Sequence, residues 1–235
     1  MTGKNFLLAA VVVMGVGAVQ ASIIQTTNSN STVHDAFVGD RSGSDLINAG
    51  QSTFDSASGT PAFAASGAFS IFGLNDGASA IGSTDSTGKT FYNSLPATIT
   101  FTLDTSVNTL GYDIDLINSY AGWGDTDATQ VNQAYEVLVS TVGSTNFTSI
   151  ANVDYSPFVA GGEASTIVSL TDSTGTIASG VDEIRFVFAD NQLGNGTVFQ
   201  EIDVFGSAAV PEPVAATLVA LTGIGFIGVR RIFMK

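Results

Sequence analysis

Apolar and polar residues alternate through the middle of the chain. In "ATITFTL", residues 97–103, Ile99, Phe101 and Leu103 fall on one side, and Thr98, Thr100 and Thr102 on the other. "AYEVLVSTV" sets Tyr135, Val137 and Val139 against Glu136, Leu138 and Ser140, and "EIRFVFA" aligns Ile184, Phe186 and Phe188. "STIVSL" and "TVFQEIDVFG" continue the theme. A period of two marks strands with one face buried, and the Gly, Asn, Asp and Ser clusters between these runs mark turns. No stretch of the body shows an apolar face of helical period with caps. The pattern predicts an all-β fold, an antiparallel β-sandwich. Roughly residues 66–206, about 140 in number, suffice for one core of about eight strands. Residues 22–65 are less regular and rich in small side chains, as in "GQSTFDSASGTPAFAASG". They are expected either to add a strand or two or to be loosely ordered. Residues 22–206 form one body, and "SAAVPEP", residues 207–213, is the linker.

Both ends break this pattern. "MTGKNFLLAAVVVMGVGAVQA" has a basic start at Lys4, an apolar run from Phe6 to Val19 and a small-x-small site ending at Ala21. That is the layout of a secretory signal peptide, residues 1–21, removed after Ala21 by signal peptidase. At the other end Val214 to Val229 is apolar and rich in glycine and alanine. At helical rise its 16 residues reach about 24 Å, slightly short of a bilayer's hydrocarbon core. Arg230 and Arg231 follow, in a basic tail of residues 230–235. They would hold that end at the cytoplasmic face, with the body outside.

Charge sharpens the picture of the body. Between residues 22 and 210 there are 20 acidic residues and three basic ones, Arg41, Lys89 and Arg185, a net of −17. Such a surface repels phosphate backbones and excludes a nucleic-acid partner. The chain has no cysteine and a single histidine, His34. Disulfides and thiolate chemistry are excluded, and a zinc site could not gather several histidines. His34 reads as a solvated loop residue.

Val210-Pro211-Glu212-Pro213, the apolar run and Arg230-Arg231 together resemble the PEP-CTERM sorting tail of exported proteins of Gram-negative bacteria, a tail also labelled an ice-binding protein C-terminal domain. The resemblance implies an exosortase partner, cleavage near the motif, and delivery to the cell surface or extracellular matrix after transient anchoring in the inner membrane. Two prolines cannot continue a helix, which keeps the motif extended and accessible.

Within the body, "LNDGASAIGSTDSTGKTFYNSLPATITFTLD" (74–104) and "VDEIRFVFADNQLGNGTVFQEIDVFG" (181–206) resemble the opening and close of a discoidin, or galactose-binding-like, jelly roll. In that family an Asp-Gly loop and a glutamate on the final strand often share a structural calcium. The counterparts are Asp76 and Glu201, with oxygens from Asn75, Gly77, Ser79 and Ser83 available to complete the shell. Calcium takes six to eight oxygen ligands of these kinds. Period-two counting places Glu201 on the face of Phe199 and Phe205, opposite Ile202 and Val204. A carboxylate between two large rings is costly unless paired or metal-bound. The alternatives are a wet face or pairing with Arg185.

One loop region is individual. "INSYAGWGDTDATQVNQAY" (117–135) holds the only tryptophan, Trp123, with Tyr120, Asp125 and Asp127 nearby. An aromatic platform beside hydrogen-bonding side chains suits the apolar face and hydroxyl rim of a sugar. The competing reading is that Trp123 caps the core. Asp125 and Asp127 form a D-x-D, but the further ligands of an EF-hand loop are absent. The combined expectation is a non-catalytic exported protein that binds glycan or exopolysaccharide. The rivals are a structural or adhesive surface protein without a small ligand, and a surface polysaccharide hydrolase built on two facing carboxylates.

Overall fold

A computed structural model describes residues 22–59, 71–77, 90–92, 97–124, 128–159, 161–189 and 196–211, with backbone alone at 71, 72 and 90–92. The expected signal peptide with Ala21, the sorting residues Glu212, Pro213, Arg230 and Arg231, the apolar run 214–229, and Asp125 and Asp127 lie outside the described residues. Among the described residues there is no α-helix, and no helix long and apolar enough to cross a membrane.

The strands are β1 (Ile23–Asn30), β2 (Phe54–Gly59), β3 (Thr90–Tyr92), β4 (Ala97–Leu103), β5 (Tyr112–Trp123), β6 (Gln133–Thr141), β7 (Thr148–Tyr155), β8 (Ala164–Asp172), β9 (Ala178–Phe188) and β10 (Thr197–Ala208). All pairings are antiparallel. They make two layers, β1-β8-β5-β10-β3 and β2-β4-β9-β6-β7. The layers join at one corner, where the start of β9 pairs with β5 through Tyr112↔Val181 and Ile114↔Ala178. The all-β antiparallel fold read from the alternation is the fold observed. Two strands, β1 and β2, precede residue 66, so the sheets begin earlier than the expected start of the core. Ser207 and Ala208, expected in a linker, still pair with Asp113 and Tyr112 and finish β10.

The core lies between the layers. Ile99, Phe101, Ile184, Phe186 and Phe188 point in from one sheet, and Ile117, Val168, Leu170, Ile202 and Val204 from the other, all sealed from solvent. Tyr135, Phe188 and Phe199 interlock across the gap, with ring centroids 4.9 Å apart for Phe188 and Phe199 and 6.1 Å for Tyr135 and Phe199. Offset and edge-to-face aromatic pairs of this kind add to the burial energy of the rings. One polar thread crosses this core. The Ser119 hydroxyl donates to Gln133 Oε1 (2.6 Å), and the Gln133 amide donates to Thr166 Oγ1 (2.9 Å). Tyr135 OH lies 2.6 Å from Ser119 Oγ. Satisfied in this way, the buried polar groups cost little and hold the two sheets in register.

The less regular N-terminal region has a definite place. After β1 the chain turns back and runs as a strap, residues 33–53, across the outer face of β5 and β10. Val33 O accepts from Ser165 Oγ (2.7 Å), Asp40 O from Tyr120 OH (2.8 Å), and Val204 O from the Leu46 N–H (2.7 Å). Leu46 and Ile47 then dive into the core cluster. The strap passes so close to β5 that a Cβ on Gly122 would lie 1.9 Å from His34 O and 2.5 Å from Gln200 Nε2. Only glycine fits at that crossing. His34 is not a solvated loop residue. Its ring is nearly closed off, and Nδ1 pairs with Glu163.

Candidate functional site

Glu201 sits near the middle of β10, where the register breaks. Phe199 pairs with Ala121 and Glu201 with Tyr120, which leaves Gln200 as the extra residue of a bulge. A bulge shifts the parity of a strand by one. Phe199 therefore points inward with Ile202 and Val204, among the core rings, while Glu201 points outward with Asp203. The expected sharing of a face by Phe199 and Glu201 does not hold, because simple alternation cannot register an inserted residue.

The outer face is not wet at this point, because the strap covers it. Asp45, Glu201 and Asp203 are all buried, as are Asn75 and Gln200. The Asp76–Gly77 turn closes one side. There the Gly77 N–H donates to Glu201 Oε1 at 3.2 Å. The structure thus brings the Asp-Gly loop and the final-strand glutamate together. Gly77 has φ +66, a left-handed conformation that glycine adopts without strain. Asn75 Nδ2 donates to Ile47 O at 2.7 Å and ties the same loop to the strap.

Two residues that were not singled out from sequence complete this layer. Asp45 Oδ1 accepts from the Ile47 N–H (3.0 Å) and the Val204 N–H (3.3 Å). Asp203 Oδ2 accepts from the Ser42 N–H at 3.1 Å. Asp203 was legible in principle, two residues beyond Glu201 on one strand. Asp45 lies far away in sequence, and no local pattern points to it. Arg41 is the one basic side chain among them. It donates to Gln200 Oε1 and lies over the Tyr120 ring, 5.7 Å from its centroid. Arg185, the alternative partner considered for Glu201, is elsewhere: it donates to Thr100 and stacks on Phe147, 3.5 Å from the ring centroid.

Burial dominates the electrostatics here. It pushes the Glu201 carboxyl up to about 10, and the charges of Asp203, Asp76 and Asp45 push the same way, against the Gly77 N–H. Asp203 is raised to about 7 by burial and by Asp45, against its bond from Ser42 and the charge of Arg41. Asp45 is raised to about 6 by burial, against its backbone hydrogen bonds. Burial lowers the Arg41 guanidinium, opposed first by the charge of Glu201. Three carboxyls thus share one layer with a single cation, a costly arrangement for ionised groups.

The unpaired atoms show what this layer lacks. Glu201 Oε2, Asp203 Oδ1, Asp45 Oδ2, Asn75 Oδ1 and Asn118 Oδ1 are buried oxygens with no hydrogen-bond partner. These oxygens are hard acceptors, the donor chemistry that calcium takes, and the same layer also holds unpaired donors, Arg41 Nε and Nη1 and Asn48 Nδ2. Among the described residues no three Asp, Glu or His side chains converge tightly enough to enclose a metal by themselves. A shell at Glu201 would therefore draw on amide and backbone oxygens as well as carboxylates. Ser79 and Ser83, expected to contribute, lie outside the described residues.

Tyr120 and Trp123 are not brought together. They lie not on the loop expected over 117–135 but on β5, a strand paired on both sides, because β10 and β8 flank it; three residues apart, they face opposite ways. Tyr120 is closed beneath the strap, with burial raising its hydroxyl well above the usual range. Trp123 packs partly buried against the core cluster at the end of β5.

No family model matches the chain, and no curated protein matches it. Among solved structures it is similar to chitosan-binding module 1 of a chitosanase/glucanase from Paenibacillus sp. IK-5, at 14% identity and TM-score 0.41, over 69% of this chain and 98% of that one. It is similar to a CBM32-2 module of GH31 solved with GalNAc bound, at 11% identity and TM-score 0.42, over 64% and 95% of the two chains. An F5/8 type C domain from Bacteroides fragilis is similar at 14% identity and TM-score 0.33, over 81% and 99%. At these TM-scores the likenesses say nothing about what this chain binds.

Proposed function

We propose that the chain is an exported, non-catalytic glycan-binding protein of galactose-binding-like fold. In this reading a calcium ion at Glu201 and the Asp76–Gly77 turn locks its N-terminal strap. The observation that carries the cation is the Gly77–Glu201 contact amid buried oxygens without partners. Glu201 and Asp76, with Asn75 Oδ1, would hold the ion, which would supply the positive charge that the layer lacks. Support for a non-catalytic role comes from the buried acids, which are engaged with backbone N–H groups beneath the strap rather than facing each other across an open cleft.

The glycan reading rests on Trp123 at the end of β5, and on the resemblance of residues 74–104 and 181–206 to discoidin-type jelly rolls. Sorting by an exosortase, with anchoring by residues 214–229 before cleavage, is the reading of the two chain ends. Its destination is the cell surface or matrix.

Two measurements test the site. Calcium is expected to raise the denaturation midpoint of the wild type in a concentration-dependent way, because a ligand that binds only the folded state stabilises it. Glu201→Gln should lose that response. On a glycan array, Trp123→Ala should lose about tenfold or more of the signal, as an aromatic anchor does. A calcium response without glycan binding favours the structural or adhesive reading, and turnover of polysaccharide favours the hydrolase.

A further inference from the structure

We propose that the end of the sandwich from which the C-terminal segment leaves rests directly on the lipid surface, through Val107, Leu110, Val142 and Val210. The proposal rests on reading residues 214–229 as a membrane segment.

Four large apolar side chains are exposed at this end: Val107 (85%), Leu110 (48%), Val142 (41%) and Val210 (74%). They come from three separate parts of the chain. Backbone contacts gather them around one point, Gly180. The Val142 N–H donates to Gly180 O at 3.0 Å, and Leu110 O lies 3.3 Å from where a Cβ on Gly180 would be. The Ala209 N–H donates to Gly111 O at 2.9 Å, which ties the residue before Val210 to the residue after Leu110. Val107 comes just before the turn closed by the Gly111 N–H on Asn108 O at 2.8 Å. An exposed apolar group assembled from several loops marks an interaction surface more than single scattered residues do.

The course of the chain names the occupant. Pro211 is the last described residue, and the apolar run begins at Val214. Three residues span at most about 11 Å. Wherever that run enters a bilayer, this end of the body is held within about that distance of the headgroups. Valine and leucine side chains suit the boundary between headgroups and acyl chains. The two basic residues of the described body are engaged elsewhere, Arg41 under the strap and Arg185 on Phe147. Among the described residues no basic side chain joins this end, and Asp113 lies beside it, accepting from the Gly180 N–H at 3.3 Å, so these residues offer nothing that anionic lipid would strengthen. The same geometry sets direction. Tyr112 begins β5 at this end and Trp123 finishes it at the other, about 36 Å away at strand rise. The candidate glycan end then points away from the membrane.

The chain has no cysteine, so single cysteines report cleanly. The full chain is reconstituted in phosphatidylcholine vesicles that contain a headgroup spin-labelled lipid. An environment-sensitive fluorophore is placed at Val107→Cys, Val142→Cys or Val159→Cys, the last being 83% exposed in the β7–β8 loop near the Trp123 end. Quenching several-fold stronger at 107 and 142 than at 159 is expected. Equal quenching at all three positions, in a chain that pellets with the vesicles, overturns this proposal alone. Shielding at 107 and 142 without lipid quenching shows the apolar run folded onto the cap and also overturns it. A chain that stays in the supernatant overturns the membrane reading of the tail and this proposal together.

Discussion

The two faces of the sheet β1-β8-β5-β10-β3 are both buried along β5 and β10, yet they are filled in opposite ways. The inner face meets Phe186, Phe188 and Tyr135, and its polar groups Ser119 and Thr166 bond to Gln133 of the facing sheet. The outer face meets the strap and encloses Asp45, Glu201, Asp203 and Arg41, with oxygens left over. Burial alone does not make a core. The inner face is stable whatever the pH, because transfer of apolar surface does not depend on protons. The outer face is stable only if something neutralises its charge: protons, or a cation. One side of the sheet holds the fold, and the other makes it responsive.

The largest expected effect breaks the inner side. Phe186 is sealed and touches Phe101, Tyr135 and Phe188. Phe186→Ala should destabilise by about 3–5 kcal/mol through lost burial and a cavity. The loss, measured by chemical denaturation, should be the same at acidic and alkaline pH. A loss that varies with pH would show that the two faces are not independent.

Next comes the crossing of strap and sheet. Gly122→Ala forces a methyl into His34 O and the Gln200 amide. Overpacking of this kind costs about 1–3 kcal/mol. Limited proteolysis should then cut within residues 33–53 while the near-ultraviolet signal of the core rings is kept. Unchanged protection of the strap would show that it is held from its ends rather than at this crossing.

The smallest effect is a slope. Carboxyls whose folded values lie above their unfolded ones keep protons that the unfolded chain has released. The stability they contribute is complete below about pH 4, the unfolded carboxylate range. It is lost as pH rises through about 6 for Asp45, about 7 for Asp203 and about 10 for Glu201. In chelator the denaturation midpoint should therefore fall between about pH 5 and about pH 8, and Asp203→Asn should flatten that fall. A midpoint that rises over this interval would contradict the reading of the layer as unpaired acids.

Much of the inner side was legible along the chain. Ile99, Phe101 and Leu103, then Ile184, Phe186 and Phe188, were placed correctly by alternation, since a sheet with one dry face imposes period two. Of the outer layer only Glu201 and the Asp76 loop could be named. Phe199 was put on the wrong face because one inserted residue, Gln200, reverses the parity beyond it. Tyr120 looked like half of a sugar platform, but it lies on the other face of β5 from Trp123, closed under a strap whose path no local pattern describes.

Taken alone, the sequence determined the strands β4, β6, β8, β9 and β10, how acidic the body is, and that both ends differ from it in kind. These are local properties: side-chain period, charge count and apolar run length. Only the tertiary structure decided that residues 33–53 cover the sheet, that Asp45 joins Glu201 and Asp203, and that Val107, Leu110, Val142 and Val210 share one end. Those groupings link residues far apart along the chain. They exist because a folded chain must cover one sheet face and bring its loops back to the same corner.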